Sequence, residues 1–153
     1  MGTNMLVALS LAMLAATPAE ARRCRSSNQD AVLVKDAIQS FYDALGKDNR
    51  AAFERSVTPD FQAFEQGVRY STDTLFKVIE NSHRSGRLIN WKINALTVRV
   101  DCETALATWD NNGSAGVPPN IAPRNWLESA VMRRSPTGWR MAFLHSTVVT
   151  VAK

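Results

Sequence analysis

The stretch NWLESAVMRRSPTGWRMAFLHS, Asn125 to Ser146, decides the fold. Two runs of alternating apolar and polar residues flank Ser135-Pro-Thr-Gly138, whose residue types mark a tight turn. With Arg134 set opposite Trp139, Met132 meets Met141, Ala130 meets Phe143, and Glu128 meets His145. These side chains share one face with Trp126. That face is mostly apolar, so it is predicted to be the buried one, with Glu128 and His145 polar at its far end.

The alternation extends upstream. In INWKINALTVRV (89–100), Ile89, Trp91, Ile93 and Ala95 keep one phase, and Leu96, Val98 and Val100 keep the other. A slip in mid-strand predicts a bulge, which bends a sheet. Thr104–Trp109 supplies the next strand after a turn near Asp101–Glu103. Asn125–Arg134 and Trp139–Val151 complete a four-stranded meander. Between Trp109 and Asn125, NNGSAGVPPNIAPR (111–124) reads as a long loop rich in Gly and Pro. It would serve either as a lid over a site or as a rigid cover for a sheet edge.

Nearer the N-terminus the period becomes helical. Ser27 with Asp30 suggests a capping box, Val34, Ile38, Phe41 and Leu45 form a stripe, and Gly46 supplies a stop. Asp48 is the expected cap of a shorter helix carrying Phe53 and Val57, which ends before Pro59. Thr72 and Asp73 open a third helix with Leu75, Phe76 and Ile79 as its stripe, and Gly86 closes it. Between the second and third helices, FQAFEQGVRY (61–70) reads as two short strands about Gln66-Gly67. The expectation is an α+β fold: three N-terminal helices packed on a strongly curved, mainly antiparallel six-stranded sheet.

A chain of 153 residues is one domain in size. Met5–Ala16 (MLVALSLAMLAA) is an apolar run too short to span a bilayer, and Ala19-Glu-Ala21 after it fits a cleavage site. This divides the chain into a signal peptide at 1–21, an arm at 22–29 and a domain at 30–151, with a periplasmic or secreted product. No lipid-attachment pattern precedes Cys24, so no membrane association is expected after cleavage. The net charge is +4, but its basic residues are scattered apart from Arg22-Arg23-Arg25 and Arg133-Arg134. Nucleic acid is not an expected partner. The two cysteines, Cys24 and Cys102, form one disulfide or remain two thiols. No CxxC and no His-rich cluster occurs, so neither a metal nor another cofactor is expected.

Candidate chemistry gathers where the meander, the first hairpin and the first helix converge. Phe61, Ala63 and Glu65 alternate on one face of their strand, and the two apolar members turn that face inward. Glu65, Glu128 and His145 are the candidate catalytic residues. Tyr42, Phe61, Trp109, Trp126 and Phe143 are the candidate pocket walls, with Tyr42 able to contribute a hydroxyl. Burial raises a carboxyl pKa and a neighbouring carboxylate raises that of His, which brings both toward neutral and suits general acid–base work. A buried Glu–His pair serves equally as a satisfied polar contact locking two strands. No G-x-S-x-G occurs, which argues against a serine nucleophile.

Three segments carry a resemblance: IQSFYDAL (38–45), TPDF (58–61) with Gly67, and GWRMAFLHS (138–146). Together they resemble the nuclear-transport-factor-2-like superfamily, which includes SnoaL-like cyclases, ketosteroid isomerases and scytalone dehydratase. The chain is most similar to its kinase-II-association-domain-like and SnoaL-like bacterial members, over about residues 30–150. The resemblance implies a cone-shaped barrel, an apolar interior pocket, and homodimers through the outer sheet face. Against ketosteroid isomerase, Glu65 falls near the catalytic base, while Ser40 stands nearest the oxyanion tyrosine and Leu127 nearest the second aspartate. Two functions follow as expectations. One is an exported domain that binds a small hydrophobic ligand or acts as a dimeric accessory module. The other is an acid–base enzyme, of isomerase, cyclase or dehydratase type, for a small hydrophobic carbonyl compound.

Overall fold

Val34, Ile38, Phe41 and Leu45 all lie buried along one side of α1 (Asn28–Gly46) in the computed structural model, which describes residues 28–149. The spacing of three and four residues puts them on one stripe, and that stripe rests on the sheet. Helix α2 (Arg50–Ser56) follows, capped by Asn49, whose side chain accepts a 3.0 Å bond from the Ala52 amide. Asp48, the expected cap, instead meets His83 at 2.7 Å and ties the turn after α1 to α3 (Thr72–Arg84). Helix α3 begins at Thr72 as expected, and Ser71 caps it in a reciprocal box with Thr74. Gly86, at φ 80°, closes α3 in the left-handed region that glycine reaches without a Cβ penalty.

Seven strands form one sheet: β1 (Val57–Glu65), β2 (Val68–Ser71), β3 (Leu88–Asn90), β4 (Ile93–Asp101), β5 (Thr104–Val117), β6 (Asn120–Ser135) and β7 (Gly138–Val148). Their order is β2-β1-β7-β6-β5-β3, with β4 also paired to β5. Every pairing is antiparallel except β1 with β7. The helices precede the meander, but the β1–β2 hairpin stands between α2 and α3. The core joins the helical stripes to Ala105, Ala107, Ala130, Met132 and Met141 on the covered sheet face. Phe41, Phe53 and Phe61 meet at its centre with ring centroids 5.3 to 6.3 Å apart.

The structure corrects the expected sheet in three places. The stretch 88–101 is two strands, not one, because the chain breaks at Trp91-Lys92; this makes seven strands instead of six. The expected slip within it is real and falls between Asn94 and Thr97, with Ala95 at φ 50°.

The segment 111–124 is not a loop. β5 and β6 stay paired from Thr104↔Arg133 out to Val117↔Asn120, and only Pro118-Pro119 turns the chain. Pairing with β7 ends at Trp126, so Pro123 sits where β6 is an edge and a missing N–H is tolerated. At Gly113 a Cβ would run into the Asn90 backbone and the Trp126 ring, so the glycine reflects close approach, not a flexible turn.

The third correction is the register of the last hairpin. Arg134↔Trp139 and Met132↔Met141 pair as expected, but Val131 then faces Phe143, Ala130 faces Leu144, and Glu128 faces Ser146. Ala142 is an extra residue, and both Met141 and Ala142 are buried. Such a bulge reverses the side-chain phase beyond it. Leu144 and Ser146 therefore point inward, and Phe143 and His145 point out. The expected signal peptide, the arm, the Ser27 cap and the Cys24 half of the Cys24–Cys102 pairing lie outside the described residues, apart from Asn28 and Gln29 of the arm, which begin α1.

Candidate functional site

The covered face carries a polar row that runs across four strands. Glu65 on β1 stands beside Ser146 on β7, Ser146 beside Glu128 on β6, and Glu128 beside Trp109 on β5. The β7 bulge brings Ser146 into this row. Glu128 is only 7% exposed, and three donors converge on its Oε2. The Tyr42 hydroxyl donates at 2.7 Å, the Trp109 indole Nε1–H at 2.7 Å, and the Asn111 amide at 2.8 Å.

Each donor has a structural reason to be there. Trp109 and Asn111 are two apart on β5 and so share the covered face. Asn111 is fully buried, and its Oδ1 accepts the Lys92 backbone N–H at 2.8 Å, which fixes which end of the amide faces Glu128. Tyr42 projects from α1, with its ring 5.5 Å from Trp91 and edge-on to Trp109 at 6.3 Å. Burial pushes the Glu128 carboxyl above the ordinary range, against the opposing pull of Asn111, Tyr42, Ser146 and Trp109. Burial, followed by the charge of Glu128, pushes the Tyr42 phenol well up, so that it stays protonated and acts as a donor.

Beside this cluster lies a cavity of about 460 Å³. Phe41, Tyr42 and Leu45 of α1 and Leu75, Val78 and Ile79 of α3 wall one side. Ile89, Trp91, Ala115, Trp126 and Leu144 wall the other. Polar groups enter from Glu65, Gln66, Ser82, Arg87, Arg124, Glu128 and Ser146. Glu65 is half-buried, and burial is the main cause that raises its carboxyl pKa. Among the described residues no group of three or more His, Cys, Asp or Glu converges as metal ligands would.

The structure brings some sequence candidates together and separates others. Glu65, Glu128, Tyr42 and Trp126 line the cavity. Trp109 stands behind Glu128 as a donor. Phe61 packs into the core against Phe41 and Phe53 and does not wall the cavity. Phe143 and His145 lie on the opposite sheet face, where Phe143 meets Phe64 at 5.0 Å and His145 is exposed opposite Ser129. The expected Glu128–His145 pair is thus not formed, because the bulge turns His145 outward. Asn111, Ser146, Arg87 and Arg124 were missed. For Asn111 a signal existed: it continues the alternation of Ala105, Ala107 and Trp109, which Gly113 and the prolines obscured.

Residues 34–151 match the family described as SnoaL-like domain. None of the curated proteins matches the chain. Among solved structures, a nuclear-transport-factor-2-like protein with a cystatin-like fold from Novosphingobium aromaticivorans is similar at 17% identity, with a TM-score of 0.71, over 81% of this chain and 84% of its own. A ketosteroid isomerase-like protein from Erwinia carotovora atroseptica is similar at 17% identity and a TM-score of 0.65, over 82% of this chain and 100% of its own. The CaMKII hub of S. rosetta is similar at 15% identity and a TM-score of 0.67, over 77% of this chain and 95% of its own. Identities this low concern the fold and not the chemistry.

The Glu128 cluster has a direct energetic consequence. Glu128→Gln retains a carbonyl-type oxygen for the three donors and should unfold in urea at a concentration near that of the wild type. Glu128→Ala orphans three buried donors and should cost about 3 kcal/mol or more. Equal unfolding midpoints for the two variants would show that the cluster does not hold the fold.

Proposed function

The chain belongs to the SnoaL-like domain family of the nuclear-transport-factor-2-like superfamily, and from that premise we propose that it is an exported domain that binds a small hydrophobic molecule in the interior cavity. The observation that carries this reading is the cavity of about 460 Å³, walled by aromatic and aliphatic side chains from two helices and the sheet. That size suits a small ligand, and the apolar walls suit its hydrocarbon part. The deepest charged group, Glu128, already has three donors, so its arrangement favours holding a shape over turning over a substrate. Export is supported by the apolar run at 5–16 and the Ala19-Glu-Ala21 site. Among the described residues no helix is long and apolar enough to cross a membrane.

The second sheet face supports self-association. It exposes Leu127 at 58% and Leu106 at 49%, near the Phe64–Phe143 pair. Exposed apolar side chains gathered on one sheet face are what an interaction site uses. The fold likeness to a CaMKII hub also favours oligomerisation, for which a homodimer through this face is the simplest form.

An acid–base enzyme is a second reading, favoured by one observation: Glu65 and Glu128 face the same cavity, and burial raises both carboxyl groups. In that reading Glu65, which carries none of the three cluster bonds, is the base, and His145 takes no part.

Three measurements separate these readings. Phenylnaphthylamine, a neutral fluorophore, should bind saturably with enhanced emission, and Ala115→Trp should abolish the signal by filling the cavity. No enhancement with the wild type would end the binding reading. Sedimentation velocity should show a dimer that Leu127→Asp converts to a monomer; a wild-type monomer at all concentrations removes the pairing. For the enzyme reading, deuterium uptake at the α-carbon of a tetralone should exceed buffer, vanish in Glu65→Gln and survive in His145→Ala. Uptake no faster than buffer removes it.

A further inference from the structure

Arg87 and Arg124 differ from the ion-paired arginines and lysine among the described residues. Arg50, Lys77, Arg84, Arg133 and Arg134 each hold a carboxylate at 2.7–2.9 Å. Arg87 and Arg124 are half-buried, both line the cavity, and among the described residues neither has a carboxylate within 4.0 Å. They reach the cavity from different parts of the fold, Arg87 from the end of α3 and Arg124 from the free edge of β6. The Arg124 guanidinium lies over the Trp126 ring at 5.9 Å, a cation–π contact beside the apolar wall.

We propose that the cavity ligand is an amphiphile, an apolar body carrying a carboxylate, and that Arg124 with Arg87 grips that carboxylate at the rim. The proposal rests on the cavity being a binding site. A guanidinium presents a planar fork of donors that matches a carboxylate two bonds at a time, and partial burial strengthens such a pair. The apolar body then lies against Trp126, Leu75 and Ile79. Glu65 shares the rim and feels the charge of Arg124, but burial works against its ionisation. Glu128 is occupied by its own donors and leaves the two arginines unspent. A wholly neutral hydrocarbon would leave two half-buried cations facing the cavity with no carboxylate within 4.0 Å.

The test compares naphthoate with naphthamide, which share the apolar body and differ in charge. Titrations use the wild type, Arg124→Met and Arg87→Met, with phenylnaphthylamine as a neutral reference. Naphthoate should bind the wild type at least about tenfold more tightly than naphthamide, the usual scale for a charge-assisted pair. Arg124→Met should remove most of that preference and Arg87→Met part of it, each read as the ratio of naphthoate to naphthamide affinity in the same variant. Equal affinity for the two naphthalenes, or a preference that survives both variants, overturns the anion grip and leaves the apolar cavity standing. If phenylnaphthylamine and both naphthalenes fail to bind, the cavity reading falls and this proposal falls with it.

Discussion

Three hydrogen bonds onto one carboxylate oxygen join the first helix to two strands of the meander. Tyr42 comes from the first helix, Trp109 and Asn111 from β5, and Glu128 from β6. A buried carboxyl without partners would be costly, and so would three buried donors without an acceptor. The arrangement satisfies both at once, and it does so only when α1 lies at one height and one angle over the sheet. Asn111 extends the constraint to the break between β3 and β4 through the Lys92 amide. The cavity beside the cluster is therefore bounded by elements whose separation is set by polar bonds as well as by apolar packing.

The β7 bulge is the second determinant. One extra residue, Ala142, lets Met141 and Ala142 both face the core and then exchanges the two faces for the rest of the strand. Inside, it completes the Glu65–Ser146–Glu128 row; outside, it places Phe143 against Phe64 and leaves His145 in solvent. A polar interior end and an apolar exterior patch thus share a single origin. The bulge within β4 at Ala95–Leu96 acts similarly on the far side of the sheet, so curvature enters from both flanks.

Around the cavity the charges are unevenly placed. The carboxyl groups of Glu128 and Glu65 face it from the sheet, one locked by donors and one half-buried, while two guanidinium groups stand at the rim without ion-pair partners among the described residues. Five other cations, Arg50, Lys77, Arg84, Arg133 and Arg134, are tied into ion pairs, and the exposed ones contribute little each. The cavity thus combines apolar walls with two guanidinium groups and the Glu65 carboxyl.

Local period and turn chemistry were enough to reveal the three helices, the Gln66-Gly67 and Ser135–Gly138 hairpins, the β4 bulge and the inward placement of Glu65 and Glu128. Each of these depends on neighbours within a few residues, which is the range over which a sequence pattern speaks. The rest required the folded chain. Whether 111–124 extends β5 and β6 depends on an edge position where a proline costs no hydrogen bond, and edges exist only once strands have been ordered. The side that His145 faces turns on one bulged residue whose apolar neighbours, Met141 and Phe143, look acceptable in either register. The convergence of Tyr42, Trp109 and Asn111 on Glu128 joins positions as many as 86 residues apart, a distance across which alternation carries no information.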